Sequence, residues 1–132
     1  MKTLWNGGGS SHNNITAYFL SLFLAVVIIF SAGIVEAKAN IYFEFVSVTT
    51  EPGCIRISGY FYNKGNSGAR VTKMHFRGNV DGRDINCMFN KPNVGYIEAY
   101  GSQKSTFTIN DNYYRYYKSS PPWNLHYNVT FN

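Results

Sequence analysis

The sequence predicts an all-β domain, a single antiparallel β-sandwich of about seven short strands, preceded by an N-terminal hydrophobic helix. Three observations predict it. From Asn40 onward, aromatic and β-branched residues alternate with polar ones in short runs, broken by turn formers every 8–12 residues. No helical period appears after Val35. Before it, Ile15–Val35 (ITAYFLSLFLAVVIIFSAGIV) contains no Asp, Glu, Lys or Arg.

The strands follow in order. Ile41–Val48 is β-rich, and Glu51-Pro52-Gly53 closes it with a turn. Cys54–Tyr62 alternates, with Ile55, Ile57 and Phe61 on one face and Arg56, Ser58, Tyr60 and Tyr62 on the other. Asn63–Gly68 is a loop in which Asn63, Gly65, Asn66 and Gly68 tolerate left-handed backbone. Val71–Val80 turns Met74 and Phe76 inward and Lys73, His75 and Arg77 outward. Asp81-Gly82 is a two-residue hairpin signal, because both positions of a type I′ turn need positive φ. Arg83–Phe89 returns with Ile85, Cys87 and Phe89 on one face. Lys91–Gly95 turns again, Tyr96–Tyr100 is short, and Ser105–Ile109 points Phe107 and Ile109 inward. Asp111–Pro122 is irregular, and Asn124–Phe131 closes the chain with Leu125, Tyr127, Val129 and Phe131 on one face.

Residues 1–14 form a polar leader, 15–39 a membrane-directed segment, and 40–132 the sandwich. The apolar run has two readings. As a cleaved signal peptide it has Lys2 in the n-region and an h-region over Ala17–Phe30. Small-residue cleavage patterns then follow at Val35-Glu36-Ala37 and Ala37-Lys38-Ala39. As an uncleaved anchor, its 21 residues match the ~20 a helix needs to cross hydrocarbon. A buried helix of a soluble protein is disfavoured, since neither face of the run is polar. Both readings place the domain outside the cytoplasm, secreted or displayed at the cell surface.

The 93 residues after Ala39 carry ten Lys/Arg and six Asp/Glu, scattered singly. Nucleic-acid binding needs clustered basic residues, so that class is set aside. Ten tyrosines and seven phenylalanines give a small domain the apolar area its high surface-to-volume ratio demands.

Two strings carry a resemblance: Ile57-Ser-Gly-Tyr-Phe-Tyr-Asn-Lys-Gly-Asn-Ser-Gly-Ala-Arg-Val71 and Ile97-Glu-Ala-Tyr-Gly-Ser-Gln-Lys-Ser-Thr-Phe-Thr-Ile109. Together they resemble the FxLYD-type and related Ig-like domains of microbial envelope proteins. In those domains a strand passes through an Asn/Gly-rich loop, and a later strand carries a Phe-x-Ile pattern. This chain has Ala99-Tyr100-Gly101 where Pro-Gly is common, and it lacks the Phe-x-Leu-Tyr-Asp element itself. The resemblance implies an Ig-like sandwich in an extracytoplasmic setting and brings no catalytic residues.

Cys54 and Cys87 are expected to form one disulfide, the simplest use of two cysteines in a small exported domain. Parity opposes it: Cys87 shares the face of Ile85 and Phe89, whereas Cys54 lies opposite Ile55. His75 and His126 fall on outward faces, and no metal site is expected, because no Cys/His spacing is short enough. Asp81 and Asp84 straddle the hairpin turn and are read as turn chemistry. No phosphate loop, G-x-S-x-G or HExxH is present, so neither an enzyme nor a cofactor is expected. Asn128-Val-Thr130 is an N-glycosylation acceptor by pattern, with Asn128 pointing outward.

The candidate binding loop is Asn112–Trp123, where Tyr113, Tyr114, Arg115, Tyr116, Tyr117 and Trp123 crowd together. Rigid aromatic side chains suit stacking on a protein or glycan ligand, and they lose little entropy on binding. The plainer reading is a connection folded over the sandwich end with alternate tyrosines tucked into the core edge. Two functions follow. The first is a non-enzymatic interaction or adhesion module. The alternative is a structural subunit of a pilus-like or archaellum-like surface assembly, with homo-oligomers and with residues 15–35 in the membrane or filament core. Against the alternative, no basic-residue-plus-Gly processing site precedes Ile15.

Overall fold

The computed structural model describes residues 35–132. The expected N-terminal helix, apart from Val35, lies outside the described residues, as does the polar leader. Ala37–Asn132 forms one compact unit. Among the described residues no helix is long and apolar enough to cross a membrane.

Seven strands form: β1 (Ile41–Glu51), β2 (Cys54–Asn63), β3 (Ala69–Val80), β4 (Arg83–Asn90), β5 (Tyr96–Ile97), β6 (Ser102–Asn110) and β7 (Trp123–Phe131). All pairings are antiparallel. One sheet has the order β1-β2-β6. In the other, β3 is central: β7 pairs along Val71–Val80, while β4 and then β5 pair with its opposite edge. Two antiparallel sheets packed on one core make a β-sandwich.

The hairpin turns follow from local chemistry. Pro52-Gly53 joins β1 to β2 with Gly53 at φ 86°, a conformation that costs glycine little. Asp81 and Gly82 adopt φ 51° and 84°, the pair of positive angles expected of the β3–β4 turn. The loop after Asn63 is built differently from its expectation. Among its residues none has positive φ; Gly65 and Gly68 serve close approach instead. A Cβ on Gly65 would sit 2.1 Å from the Lys38 carbonyl oxygen, and one on Gly68 would sit 2.3 Å from the Tyr96 hydroxyl.

Period-2 alternation puts the apolar faces together. Ile55, Ile57, Phe61, Met74, Phe76 and Val80 are fully buried. Phe43 lies edge-on or tilted to Phe61, Phe76 and Phe107 at centroid distances of 4.9–6.0 Å. Such aromatic pairs add roughly 0.5–1.5 kcal/mol each beyond their buried area. Phe43 also covers the inner face above Gly59, where a Cβ would meet its ring at 2.4 Å.

One buried polar side chain organises the pole where the chain enters the sandwich. Asn63 is 2% exposed. Its Nδ2 donates to the carbonyls of Ser67 (2.8 Å), Ile97 (3.3 Å) and Glu98 (3.2 Å). Its Oδ1 accepts from the amides of Asn40 (3.1 Å) and Gly65 (2.9 Å). One side chain thus ties the start of β1, the 64–68 loop and β5 together.

The expected disulfide does not form: Cys54 and Cys87 are both free. The physical reason is the parity already visible in the sequence. Cys54 opens β2 on the outer face of the first sheet, where its Sγ reaches Glu51 Oε2 at 3.8 Å. Cys87 packs against the core from the second sheet, opposite Phe76.

Candidate functional site

Three segments meet at the other pole: the Pro52-Gly53 turn, the Asp81-Gly82 turn, and Asp111–Pro122. The long segment has no ladder of its own, so its backbone groups must find partners elsewhere. They do. Asp111 N–H donates to Gly53 O (2.9 Å), and Gly53 N–H donates to Tyr114 O (2.8 Å). Asp81 N–H donates to Pro122 O (2.8 Å). Thr50 and Lys118 exchange backbone hydrogen bonds at 3.0 and 3.1 Å, a one-residue extension of the sheet beyond β1. Thr50, itself buried, also donates from Oγ1 to Tyr116 O at 2.9 Å.

Side chains complete the anchoring. Tyr114 is 4% exposed, and its hydroxyl donates to Val80 O at 2.9 Å. Burial, then the charges of Asp111 and Asp81 and the neighbouring Tyr113, push its pKa up to about 12. Asp111 accepts from the Tyr113 amide (3.0 Å) and from Arg83 Nε (3.1 Å). The amide hydrogen bond foremost, with the guanidinium, holds its carboxyl below the ordinary range. Lys118 Nζ pairs with Asp81 Oδ2 at 2.7 Å, and Tyr113 donates from its hydroxyl to Asp81 O at 3.2 Å.

The six sequence-chosen residues therefore divide. Tyr114 is an anchor, and Tyr113 is half-exposed and lies edge-on to it at 5.3 Å. Arg115, Tyr116 and Tyr117 face solvent, Tyr116 and Tyr117 at 74% and 66% exposure. Trp123 begins β7 and packs on Phe45 (5.0 Å); like Tyr117, it stands apart from the cleft that Tyr113, Tyr114, Arg115 and Tyr116 line. That cleft is formed by Thr50, Asp81, Tyr113, Arg115, Tyr116 and Lys118, over the buried Tyr114. Sequence reasoning missed Thr50 and Asp81 as lining residues and included Lys118 in the loop without singling it out. The Asp81-Gly82 turn was visible, but nothing local shows that the 111–122 segment folds back on it.

Elsewhere, His126 and Asn128 are exposed on β7. His75 Nε2 lies 2.6 Å from Asn86 Oδ1. Asp84 Oδ1 accepts from Asn79 Nδ2 at 3.1 Å, beside the hairpin turn. Among the described residues no group of three or more His, Cys, Asp or Glu could hold a metal ion. No family model, no curated protein and no solved structure matches this chain.

Proposed function

We propose that this chain is a non-enzymatic interaction or adhesion module of the Ig-like type, working outside the cytoplasm, whose binding face is the tyrosine loop. The observation that carries the reading is the contrast within that loop. Its backbone and Tyr114 are fastened to β1, β3 and the two neighbouring turns, while Arg115, Tyr116 and Tyr117 are left to solvent. A pinned loop that exposes large rings has already lost its conformational freedom, so binding costs less entropy. Placement supports the reading as well. β1 runs eleven residues from the Asn63 pole to the loop's pole, about 33 Å at ~3.3 Å per residue. Within the domain, the loop lies at the opposite end of β1 from Asn40.

The partner is a protein or a glycan that takes aromatic stacking with a guanidinium beside it. The test compares the full chain with its Tyr116→Ala/Tyr117→Ala variant. Both are applied to a glycan array and to cell-surface adhesion, with thermal unfolding measured in parallel. Binding is expected to fall at least tenfold with unfolding unchanged. Equal binding by the two proteins overturns the reading.

A further inference from the structure

We propose that β6 is a self-pairing edge, through which two copies of this chain join β6 to β6 about a two-fold axis into one continuous sheet. This surface is separate from the tyrosine loop. An edge strand carries a row of free N–H and C=O groups, and proteins guard such rows with bulges, charges or covering groups. β1 is guarded at three points along its length. Phe43 N–H takes the Tyr127 hydroxyl at 3.0 Å, a bulge interrupts the ladder between Phe45 and Ser47, and Thr50 is closed by Lys118. The β7 ladder is bulged between Val71 and Lys73. β4 begins with two charges, Arg83 and Asp84.

β6 has no bulge, and its one charge is Lys104. It pairs with β2 through nine consecutive residues without a register shift, and among the described residues no strand lies on its other side. Asp111 N–H binds Gly53 O and Asn63 N–H binds Gly101 O, so odd-numbered residues of β6 exchange hydrogen bonds with β2. The even-numbered residues, Ser102 to Asn110, turn their N–H and C=O groups outward. Beside Lys104–Thr108 lies a groove floored by Phe89, Pro92, Val94 and Phe107.

The chemistry of the strand selects a second copy as occupant. Lys104 is its single charge in SQKSTFTIN. An antiparallel two-fold register centred on Thr106 places each Lys104 opposite Thr108 of the second copy and Thr106 opposite its own counterpart. The two lysines are then four residues apart along the ladder, about 13 Å. That exceeds the ~8 Å screening length at physiological salt, so they do not repel appreciably. Threonine pairs across strands are favourable, and the register gives five outward pairs, each able to exchange two hydrogen bonds.

Cysteine cross-linking of the full chain tests the register, on a Cys54→Ser/Cys87→Ala background. Thr106→Cys is expected to form a disulfide-linked dimer on mild oxidation, since opposed residues of such a pair lie about 5.5 Å apart at Cα, within disulfide range. Thr108→Cys alone is expected to cross-link at least tenfold more slowly. An equimolar mixture of Lys104→Cys and Thr108→Cys chains is expected to cross-link readily. These substitutions sit at exposed positions, and circular dichroism checks that each variant folds. Equal rates at positions 106 and 108, or no cross-linked dimer from any of them, overturns the proposal. Association through another surface, including residues 15–35, does not reproduce the 106-over-108 pattern.

Discussion

Replacing Asn63 by Ala removes a side chain that makes five hydrogen bonds and leaves nothing to succeed it. The bond to Ile97 O is fully buried, so that carbonyl is orphaned at about 1–3 kcal/mol. The other four partners are part-buried and recover some hydration, at roughly 0.5 kcal/mol each. The expected loss is about 3–5 kcal/mol, a large share of the stability of a domain this size. At ~4–8 °C per kcal/mol for a small domain, Tm should fall by about 12–40 °C. Urea unfolding of the full chain, followed by near-ultraviolet circular dichroism, measures it. Asn63→Asp sharpens the test. Its carboxylate keeps the acceptor role toward Asn40 and Gly65 but faces three carbonyls where the amide donated. At neutral pH the variant should be at least as unstable as Asn63→Ala, and it should regain stability as acid protonates the new carboxyl. A loss below 1 kcal/mol for Asn63→Ala, or wild-type stability of Asn63→Asp at pH 7, refutes the reasoning.

Three further outcomes are expected. Tyr114 has its pKa raised to about 12 in the folded chain, against ~10 unfolded, so its contribution is whole below pH 10 and is lost as pH rises through 12. Absorbance at alkaline pH should show a late-titrating tyrosine that disappears in Tyr114→Phe, and a Tyr114→Phe trace identical to wild type excludes the assignment. Asp111 has its pKa depressed, so its contribution is present above the unfolded value of ~3.9 and is lost as pH falls through the folded one. Asp111→Asn should therefore narrow the stability gap from wild type on acidification below pH 4, as measured by urea midpoints; a gap that is constant with pH contradicts this. With no disulfide, two thiols per chain should react with a maleimide. Cys87, packed on the core and with its thiol pushed up by burial, should react more slowly in the native state than after denaturation. Mass spectrometry of a non-reduced sample showing a Cys54–Cys87 bridge contradicts the structure.

Much of the sandwich was legible because its rules are local. Ile55, Ile57 and Phe61 recur every second residue, and that spacing alone puts them on one face of a strand. Asp81-Gly82 announces its turn because few residue pairs adopt two positive φ angles cheaply. The cysteine parity was equally readable, and it outweighed the general expectation that two cysteines in an exported domain bond. The candidate loop was half legible. Its aromatic density marked it, but no local pattern separates Tyr114, which enters the core edge, from Tyr116 and Tyr117, which do not.

By itself, then, the sequence determined the strands, the faces they bury, the hairpin turns, and an uncharged apolar run ahead of a small β domain. Each of these depends on residues within a few positions of one another. Only the tertiary structure decided the rest. It joined β6 to β2 and β7 to β3, closed Thr50 onto Lys118, made Asn63 a clamp where a turn residue was expected, and added Asp81 to the loop's cleft. Those partners lie tens of residues apart. Chain propensity does not specify which distant groups meet; that follows from packing two sheets on one core and from the need of every buried N–H and C=O for a partner.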